Sequence, residues 1–439
     1  MSRYKREPQT RKKRIKIKAP AMALLIVLLS AAIMTVFAVV PGLKYNSAYE
    51  RSLMTPVGDP EAVPPEIKAN SAIMWSLDLD RPVYEKNADE KLSPYSITKI
   101  LTCYLALENL DPDQMVTVSE KAAEPLEDGT TMNLHAGEVI SVRDLVYGAM
   151  LPSGNDAAYA LAEAVAGDRK SFAKMMNDKA AEWGCTNTHF VNPNGWKNDD
   201  HYTTARDFCI ITMKCFENEE LKKISMTEDY VVPATNLSES RVLDNHTTRA
   251  TRKAGDVVTC GKTGGWTSKD SSLVLEFDDG QLEGAVVLIK DSVKGRRNDA
   301  KALIDFAPAV TPGYTVSTTD DEVGLTKVKH GAKTRVALMP EASTVAYPAS
   351  GKTKDIKIEI ETDTLEAPVT KGDAAGTYRV YANDKLVAER KLLAAEDVGT
   401  GWLPSYLYIS NIETVCIIIV ILIVLLMGFA TGRGRRRDR

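Results

Sequence analysis

Two apolar runs, one near each end, most constrain how this 439-residue chain can fold. The first run extends from Ala21 to Val40, and the second extends from Ile412 to Ala430 with Glu413 as its one charge. A helix needs about 20 apolar residues to cross a bilayer, and both runs are near that length. We therefore expect one transmembrane helix at 19–41 and another at 412–430.

Basic residues flank both apolar runs on the side that faces away from the middle of the chain. Residues 1–18 carry nine Lys or Arg and one acid, and residues 431–439 carry five Arg and one Asp. Lys and Arg collect on the cytoplasmic side of membranes, so we expect both tails in the cytoplasm and everything between them outside it. The first run also has the basic start and apolar centre of a cleavable signal peptide, and this alternative stays open.

Charge and residue spacing exclude several classes of function. The net charge is −4, and the basic clusters lie beside the apolar runs, where membrane topology already explains them, so we expect no nucleic-acid partner. No CxxC pair, His/Cys cluster or HExxH motif occurs among the six cysteines and five histidines, so we expect no metal and no cofactor. The histidines are scattered, which gives a Ser-His-Asp triad little support.

Hydrophobic periodicity divides the middle of the chain into a spacer and two folded domains. Residues 42–69 are rich in proline with little periodicity, which is typical of a stiff spacer. Residues 70–312 run strand, helix, helical block, strands and helix, which predicts an α+β fold with an antiparallel sheet flanked by helices and a helical subdomain. Residues 318–396 hold short β-prone runs between Gly, Asp and Pro, which predict a small all-β domain, and a linker at 397–411 leads to the second apolar run.

Two local patterns position elements within the larger domain. Ser93 suits the N-cap of a helix and Pro94 suits its first position, because apolar residues recur with helical spacing from Ile97 onwards. Farther along, Ser271–Phe277 and Gly284–Ile289 are apolar, β-branched runs joined across Asp-Asp-Gly, which predicts a hairpin.

Ser96 and Lys99 place a hydroxyl and an amine three residues apart on this predicted helix. Such residues are neighbours on one helix face, so a nucleophile and its base can meet there. The positive end of the helix dipole favours an oxyanion near Ser96. Lys99 can act as a base only if burial or a neighbouring cation lowers its pKa from about 10.4 towards about 7–8. Taken alone, this pair is a weak signal.

A second element, Ser153-Gly154-Asn155, lies between two predicted helices. Ser153 can pass a proton between Lys99 and a leaving amine, and the amide of Asn155 can hold a substrate peptide by donating and accepting hydrogen bonds. Alone, such a segment is more often a helix cap than a functional site.

A third element, Lys262-Thr263-Gly264, lies on a strand edge ahead of the predicted hairpin. Lys262 supplies a cation that can bind a terminal carboxylate and also lower the pKa of Lys99. Gly264 lets an extended substrate approach the strand closely. The backbone N–H groups of Ser96 and Gly265 are our candidates for an oxyanion hole.

These three elements in this order resemble the motifs of penicillin-binding proteins and serine β-lactamases. Flanking segments are similar to the low-molecular-mass D-alanyl-D-alanine carboxypeptidases in particular, over residues from about 70 to 310. Gly265 departs from that pattern, because the family more often has a larger side chain there. The segments that carry the likeness are 94–102, 190–196 and 201–207 in the catalytic domain, and 365–372 and 376–380 in the small β-domain.

The resemblance implies a reaction and its partners. Ser96 would be the nucleophile and Lys99 its base, Ser153 and Asn155 would form the second element, and Lys262 with Thr263 would bind the substrate carboxylate. The substrates would be peptidoglycan stem peptides that end in D-Ala-D-Ala, and β-lactam antibiotics would acylate the same serine.

Several alternatives stay open. The protein could be an endopeptidase that cuts cross-linked peptides, or a catalytically silent homologue that binds peptidoglycan. A β-lactamase is disfavoured because no additional Glu that could activate the deacylating water occurs near 192–196.

Overall fold

The structure is a computed structural model that describes residues 54–124, 129–402 and 411–434. Its helices, numbered in chain order, are α1 Lys99–Asn109, α2 Glu120–Ala123, α3 Val142–Met150, α4 Asn155–Ala166, α5 Arg169–Glu182, α6 Ala205–Phe216, α7 Glu219–Met226, α8 His246–Thr251, α9 Val293–Val310 and α10 Asn411–Gly434. Its strands, numbered likewise, are β1 Thr55–Val57, β2 Ser71–Ser76, β3 Arg81–Lys86, β4 Met115–Thr117, β5 Val139–Ser141, β6 Asp229–Val232, β7 Arg241–Asp244, β8 Val258–Thr267, β9 Asp270–Asp278, β10 Glu283–Asp291, β11 Gly313–Ser317, β12 Gly324–Lys329, β13 Arg335–Pro340, β14 Thr344–Ala346, β15 Ile356–Thr362, β16 Leu365–Glu366, β17 Ala374–Ala382 and β18 Lys385–Ala394.

A five-stranded antiparallel sheet, in the order β3-β2-β10-β9-β8, forms the centre of the larger domain. Successive residues of a strand point to opposite faces, so this sheet can bury both. Leu273 and Leu275 of β9 join a core with Leu303 of α9. Val274, which lies between them, joins a second core with residues of helices α1 to α7, which form the helical block. The predicted hairpin is confirmed, because β9 pairs with β10 across the Asp-Asp-Gly turn.

The smaller domain is built from strands. A six-stranded sheet has the order β15-β17-β18-β13-β12-β16, and a three-stranded sheet has the order β1-β11-β14. Tyr378, Leu338 and Leu392 are fully buried in its core. Lys385 of this domain pairs with Glu283 of the larger one at 2.7 Å, and Asn383 Nδ2 donates to Asp78 O at 2.9 Å. The α+β fold with a C-terminal β-domain is therefore confirmed.

One strand lies inside the stretch expected to be a spacer. Thr55–Val57 pairs antiparallel with β11, with Pro56 opposite Tyr314. Proline lacks a backbone N–H and so is tolerated on an edge strand, which is where β1 lies. Proline content alone therefore did not distinguish spacer from edge strand here.

The predicted membrane segments are only partly within the described residues. The tail 1–18 and the segment 19–41 lie outside them, as does most of the linker at 397–411. The second predicted span overlaps α10, whose side chains are described only from 414 to 426. Over the described ranges, the structure contains no helix that is both long and apolar enough to cross a membrane.

Candidate active site

The turn that carries Ser96 differs from the helix start that we expected. A short 3-10 turn, Tyr95–Thr98, comes first and α1 begins at Lys99. Tyr95 has a φ of +56°, which a right-handed helix does not allow, so the prediction that Ser93 caps this helix is wrong. The Tyr95 hydroxyl donates to Asp270 Oδ2 at 2.7 Å and ties the turn to the start of β9.

Ser96 and Lys99 are in contact despite this different start. Lys99 Nζ lies 2.9 Å from Ser96 Oγ. Ser96 lines an open cleft of about 470 Å³, whereas the Lys99 side chain is fully buried beneath it. The hydroxyl is thus accessible from the cleft and the amine is shielded from water.

Three further groups surround the Lys99 amine. Nζ donates to Asn155 Oδ1 at 2.9 Å and to the backbone carbonyl of Asn194 at 3.0 Å, and it lies 3.5 Å from Ser153 Oγ. Asn194 Nδ2 donates to Asn155 Oδ1 at 3.1 Å, which keeps that oxygen turned towards the amine. Ser153 has a φ of +65°, an uncommon conformation for a residue other than glycine. The first two sequence elements therefore meet around one nitrogen.

Burial disfavours charge on both lysines of the site. Burial, followed by the nearby Lys262 cation, holds the pKa of Lys99 well below its usual value. Burial also lowers the pKa of Lys262 to about 7, and Arg296 acts in the same direction. The surroundings of Lys99 therefore favour its neutral form over the charged one.

The third element lies directly against the Ser96 turn. A Cβ on Gly264 would lie 2.9 Å from Pro94 O and 3.0 Å from Ser96 N, so the two backbones approach more closely than a larger residue permits. Thr263, Gly264 and Gly265 line the cleft beside Ser96 and Ser153. Lys262 lies beneath its surface, where Nζ donates to Thr263 O at 3.0 Å.

Residues that no sequence motif marked hold β8 in place. Arg296 Nη1 donates to Gly264 O at 2.7 Å and to Ser272 O at 2.9 Å, and its side chain is nearly buried. Thr263 N donates to Thr247 Oγ1 at 3.2 Å. Arg249 and Arg297 line the same cleft and add positive charge at its rim. The basic pair at 296 and 297 was visible in the sequence, but no spacing rule linked it to Gly264.

The loop at 192–196 closes the site on the side of the helical block. Gly195 has a φ of +79°, and a Cβ there would lie 1.9 Å from Tyr95 O. Thr102 Oγ1 donates to Pro193 O at 2.5 Å. Buried His201 accepts from Val191 N at Nδ1, so Nε2 carries the proton and faces Thr98 Oγ1 at 3.1 Å. Burial lowers the pKa of His201 to about 3, which keeps this ring neutral and structural.

The structure thus brings together all eight residues that the sequence singled out, and it adds Asn194 and Arg296. Across the described ranges, no group of three or more His, Cys, Asp or Glu side chains is arranged to hold a metal ion. All six cysteines are free. A serine in contact with a buried lysine amine beside an open cleft is the arrangement of a serine-type hydrolase.

Comparisons with known proteins assign the family. A model of the D-alanyl-D-alanine carboxypeptidase family matches residues 59–292, and a model of the penicillin-binding protein 5 C-terminal domain matches residues 314–400. DacF of Bacillus subtilis, named as a D-alanyl-D-alanine carboxypeptidase, is 31% identical over 354 residues that cover 77% of this chain and 88% of the relative. DacC of Escherichia coli, with the same activity in its name, is 30% identical over 77% of this chain and 86% of the relative. The chain belongs to the D-alanyl-D-alanine carboxypeptidase family.

Solved structures show the same architecture. Penicillin-binding protein 5 from Haemophilus influenzae superposes with a TM-score of 0.54 at 26% identity, over 77% of this chain and 99% of that one. The Streptomyces K15 DD-transpeptidase superposes with a TM-score of 0.53 at 28% identity, over 57% of this chain and 100% of that one. The likeness to the first of these includes the β-domain.

Proposed function

We propose that this protein is a serine-type D-alanyl-D-alanine carboxypeptidase that removes the terminal D-alanine from peptidoglycan stem pentapeptides. The observation that supports this function most strongly is the contact of 2.9 Å between Ser96 Oγ and the buried amine of Lys99. The family membership supports the same activity, as do the curated relatives that carry it in their names.

The hydrogen bonds of Lys99 suit a general base. A neutral amine has two N–H groups and one lone pair. Asn155 Oδ1 and Asn194 O are acceptors only, so they take the two N–H groups. The lone pair is then left for the hydroxyl proton of Ser96. Ser96 Oγ attacks the penultimate carbonyl carbon as its proton passes to Lys99 Nζ.

Acyl transfer is completed by two further steps. The C–N bond to the terminal D-alanine breaks, and the leaving nitrogen takes a proton that returns from Lys99 through Ser153 Oγ, which is 3.5 Å from Nζ. Water then attacks the acyl-serine carbonyl carbon and gives up a proton to Lys99 Nζ. The ester bond to Ser96 Oγ breaks, and Lys99 returns the proton to that oxygen, which restores the hydroxyl. Backbone N–H groups of Ser96 and Gly265 are assigned to the developing oxyanion.

The terminal carboxylate of the substrate is assigned to the β8 side of the cleft. Thr263 lines the cleft floor, Lys262 places its amine just beneath that floor, and Arg297 lies at the rim. A carboxylate bound here would raise the pKa of Lys262 and keep it charged, because opposite charges favour the ionised form. β-Lactams carry a carboxylate and an activated amide carbonyl, so they would acylate Ser96 in the same position.

The test of this function uses two substrates in parallel. The purified protein, incubated with a synthetic stem pentapeptide, is expected to release free D-alanine, and Ser96→Ala is expected to release none. Cleavage of a cross-linked muropeptide without release of D-alanine from the pentapeptide would assign endopeptidase activity instead. Absence of both reactions would leave a silent, peptidoglycan-binding homologue.

A membrane location outside the cytoplasm is part of the proposal. The apolar runs at 19–41 and 412–430 and the basic residues beside them support a tether at each end with the catalytic domain on the extracytoplasmic side. Protease added outside spheroplasts is expected to degrade the catalytic domain. Protection until the cells are lysed would contradict this topology.

A further inference from the structure

A second cavity, of about 560 Å³, lies where the two domains meet. This volume is within the range of about 300–1,000 Å³ that is usual for ligand pockets. The larger domain contributes residues of β2, α6 and α7, and the smaller domain contributes Ala349 and residues of the β17–β18 hairpin. None of the described residues that line this interdomain cavity also lines the cleft of Ser96. A molecule bound here would therefore contact both domains without entering the active site.

Apolar side chains form part of the cavity wall. Trp75 and Leu77 come from the end of β2, Met213 comes from α6 and Val387 comes from β18. Each of them is only partly buried, so apolar surface stays open to water. Covering such surface with an apolar part of a ligand is favourable. The wall therefore suits a ligand with a hydrocarbon body.

The charges that line the cavity do not balance. Six carboxylates and three lysines are present, and each lysine forms an ion pair with one of the carboxylates: Lys214 with Glu217 at 2.7 Å, Lys222 with Glu276 at 3.2 Å, and Lys385 with Glu283 at 2.7 Å. The three other carboxylates, those of Asp78, Asp80 and Glu219, take no part in these ion pairs. The cavity thus has an excess of negative charge.

Asp78 lies where a nearby cation would stabilise its ionised form. Its Oδ2 accepts a hydrogen bond from Glu283 N at 2.9 Å, which fixes the carboxylate at the cavity wall. Burial raises the pKa of Asp78 to about 6, and the carboxylates of Glu283 and Asp278 act in the same direction. Burial also raises the pKa of Glu276. A bound cation would favour the ionised form of both groups, because opposite charges attract.

A metal ion does not suit this cavity. Across the described ranges, no group of three or more His, Cys, Asp or Glu side chains is arranged to hold one. The unpaired carboxylates are instead distributed over the turn after β2 and the start of α7, with apolar surface in the same cavity. An organic cation with several charges along a flexible chain can reach both places.

We propose that the interdomain cavity is a binding site for a linear aliphatic polyamine. The ammonium groups pair with the three unpaired carboxylates, and the methylene groups between them cover the apolar wall. An ammonium group that lies against the indole of Trp75 gains further attraction. Because both domains line the cavity, the bound polyamine also holds the domains together. This inference is independent of the proposed function.

The first test is calorimetric titration of the full-length protein with spermidine at physiological salt. We expect one saturable site per chain, and no binding of octanediol, an uncharged chain of similar length. Several weak sites per chain would mean that spermidine only neutralises surface charge. That result would overturn the proposal, as would the absence of binding.

Two lysine substitutions on β18 test whether the bound site is the interdomain cavity. Val387→Lys places a positive charge at the cavity wall and is expected to weaken the affinity for spermidine about tenfold, because like charges repel. Leu386→Lys is the matched control, since Leu386 is 46% exposed and is not among the residues that line the cavity. Its affinity is expected to stay within about twofold of the wild type. Equal affinities of the two variants would overturn the proposal.

Thermal unfolding shows whether the ligand stabilises the folded protein. A ligand that binds only the folded state raises Tm. Spermidine is expected to raise the Tm of the wild type and of Leu386→Lys, and to leave the Tm of Val387→Lys almost unchanged. Without spermidine the two variants should unfold at similar temperatures, so that misfolding does not explain the difference. The same rise in Tm for both variants would contradict a site in the interdomain cavity, whether or not the protein releases D-alanine.

Discussion

Lys99 and Lys262 show how far single residues could be assigned before the fold was known. Their types and spacing marked them, and the need for a lowered pKa followed from ordinary acid-base chemistry. The buried environment that lowers each pKa comes from packing, which the sequence does not reveal. Asn194 contributes its backbone carbonyl, a group that every residue has, so no sequence rule could single it out.

Removal of Lys262 tests the electrostatic link between the two amines. Burial is the larger cause of the lowered pKa of Lys99, and the Lys262 cation is the second. In Lys262→Met the cation is gone, so the pKa of Lys99 rises. Acylation needs neutral Lys99, and the rise of the acylation rate with pH is therefore expected to move to higher pH.

The measurement is the rate of acylation by a fluorescent penicillin as a function of pH. Lys301→Met serves as the control, because Lys301 pairs with Asp305 on an exposed helix face and its removal should leave the profile unchanged. A profile for Lys262→Met that stays in place, or moves to lower pH, would refute the link.

At the scale of elements, regular segments were predictable and irregular ones were not. The β9–β10 hairpin followed from apolar runs around a turn sequence. The start of α1 could not be predicted from a sequence pattern. Tyr95 takes a positive φ there, and in that conformation it contacts Asp270 and the loop at 192–196. The bulge at Trp266 was likewise hidden, since a single unpaired residue leaves no periodic signal.

Two glycines test how much the loop at 192–196 contributes. Gly195 and Gly184 have nearly the same φ, +79° and +80°, but a Cβ at 195 would overlap Tyr95 O whereas a Cβ at 184 would meet open space. Gly184→Ala is expected to cost about 1 kcal/mol in free energy of unfolding from backbone strain alone. Gly195→Ala is expected to cost more and also to slow acylation of Ser96, because it displaces the turn.

Denaturant unfolding and acylation kinetics measure the two effects. Gly184→Ala should be acylated by penicillin at the wild-type rate, so it is the control for the effect of backbone strain alone. If the two variants lost equal stability and acylated equally fast, the loop would have no part in positioning Ser96.

At the scale of the whole molecule, the site depends on a fold that brings three separate segments to one cleft. The widest gap between them in sequence, from 155 to 262, is about a hundred residues. The central sheet places β8, and the helical block places α1 and the start of α4 against it. The order of these elements could be inferred from their motifs and the family resemblance. The contacts between the two domains could not be inferred, because Glu283, Lys385 and Asn383 are residue types that are common on protein surfaces.

The assignment of Ser96 as the nucleophile is tested best by locating the covalent bond that a penicillin forms. The full-length protein is treated with benzylpenicillin, digested and mapped by mass spectrometry, with Ser96→Ala in parallel. We expect one adduct, on Ser96, and none on the variant, whose circular dichroism and thermal unfolding should match those of the wild type. An adduct on Ser153 or on any other residue, or an unchanged adduct on the variant, would contradict the assignment of Ser96 as the nucleophile.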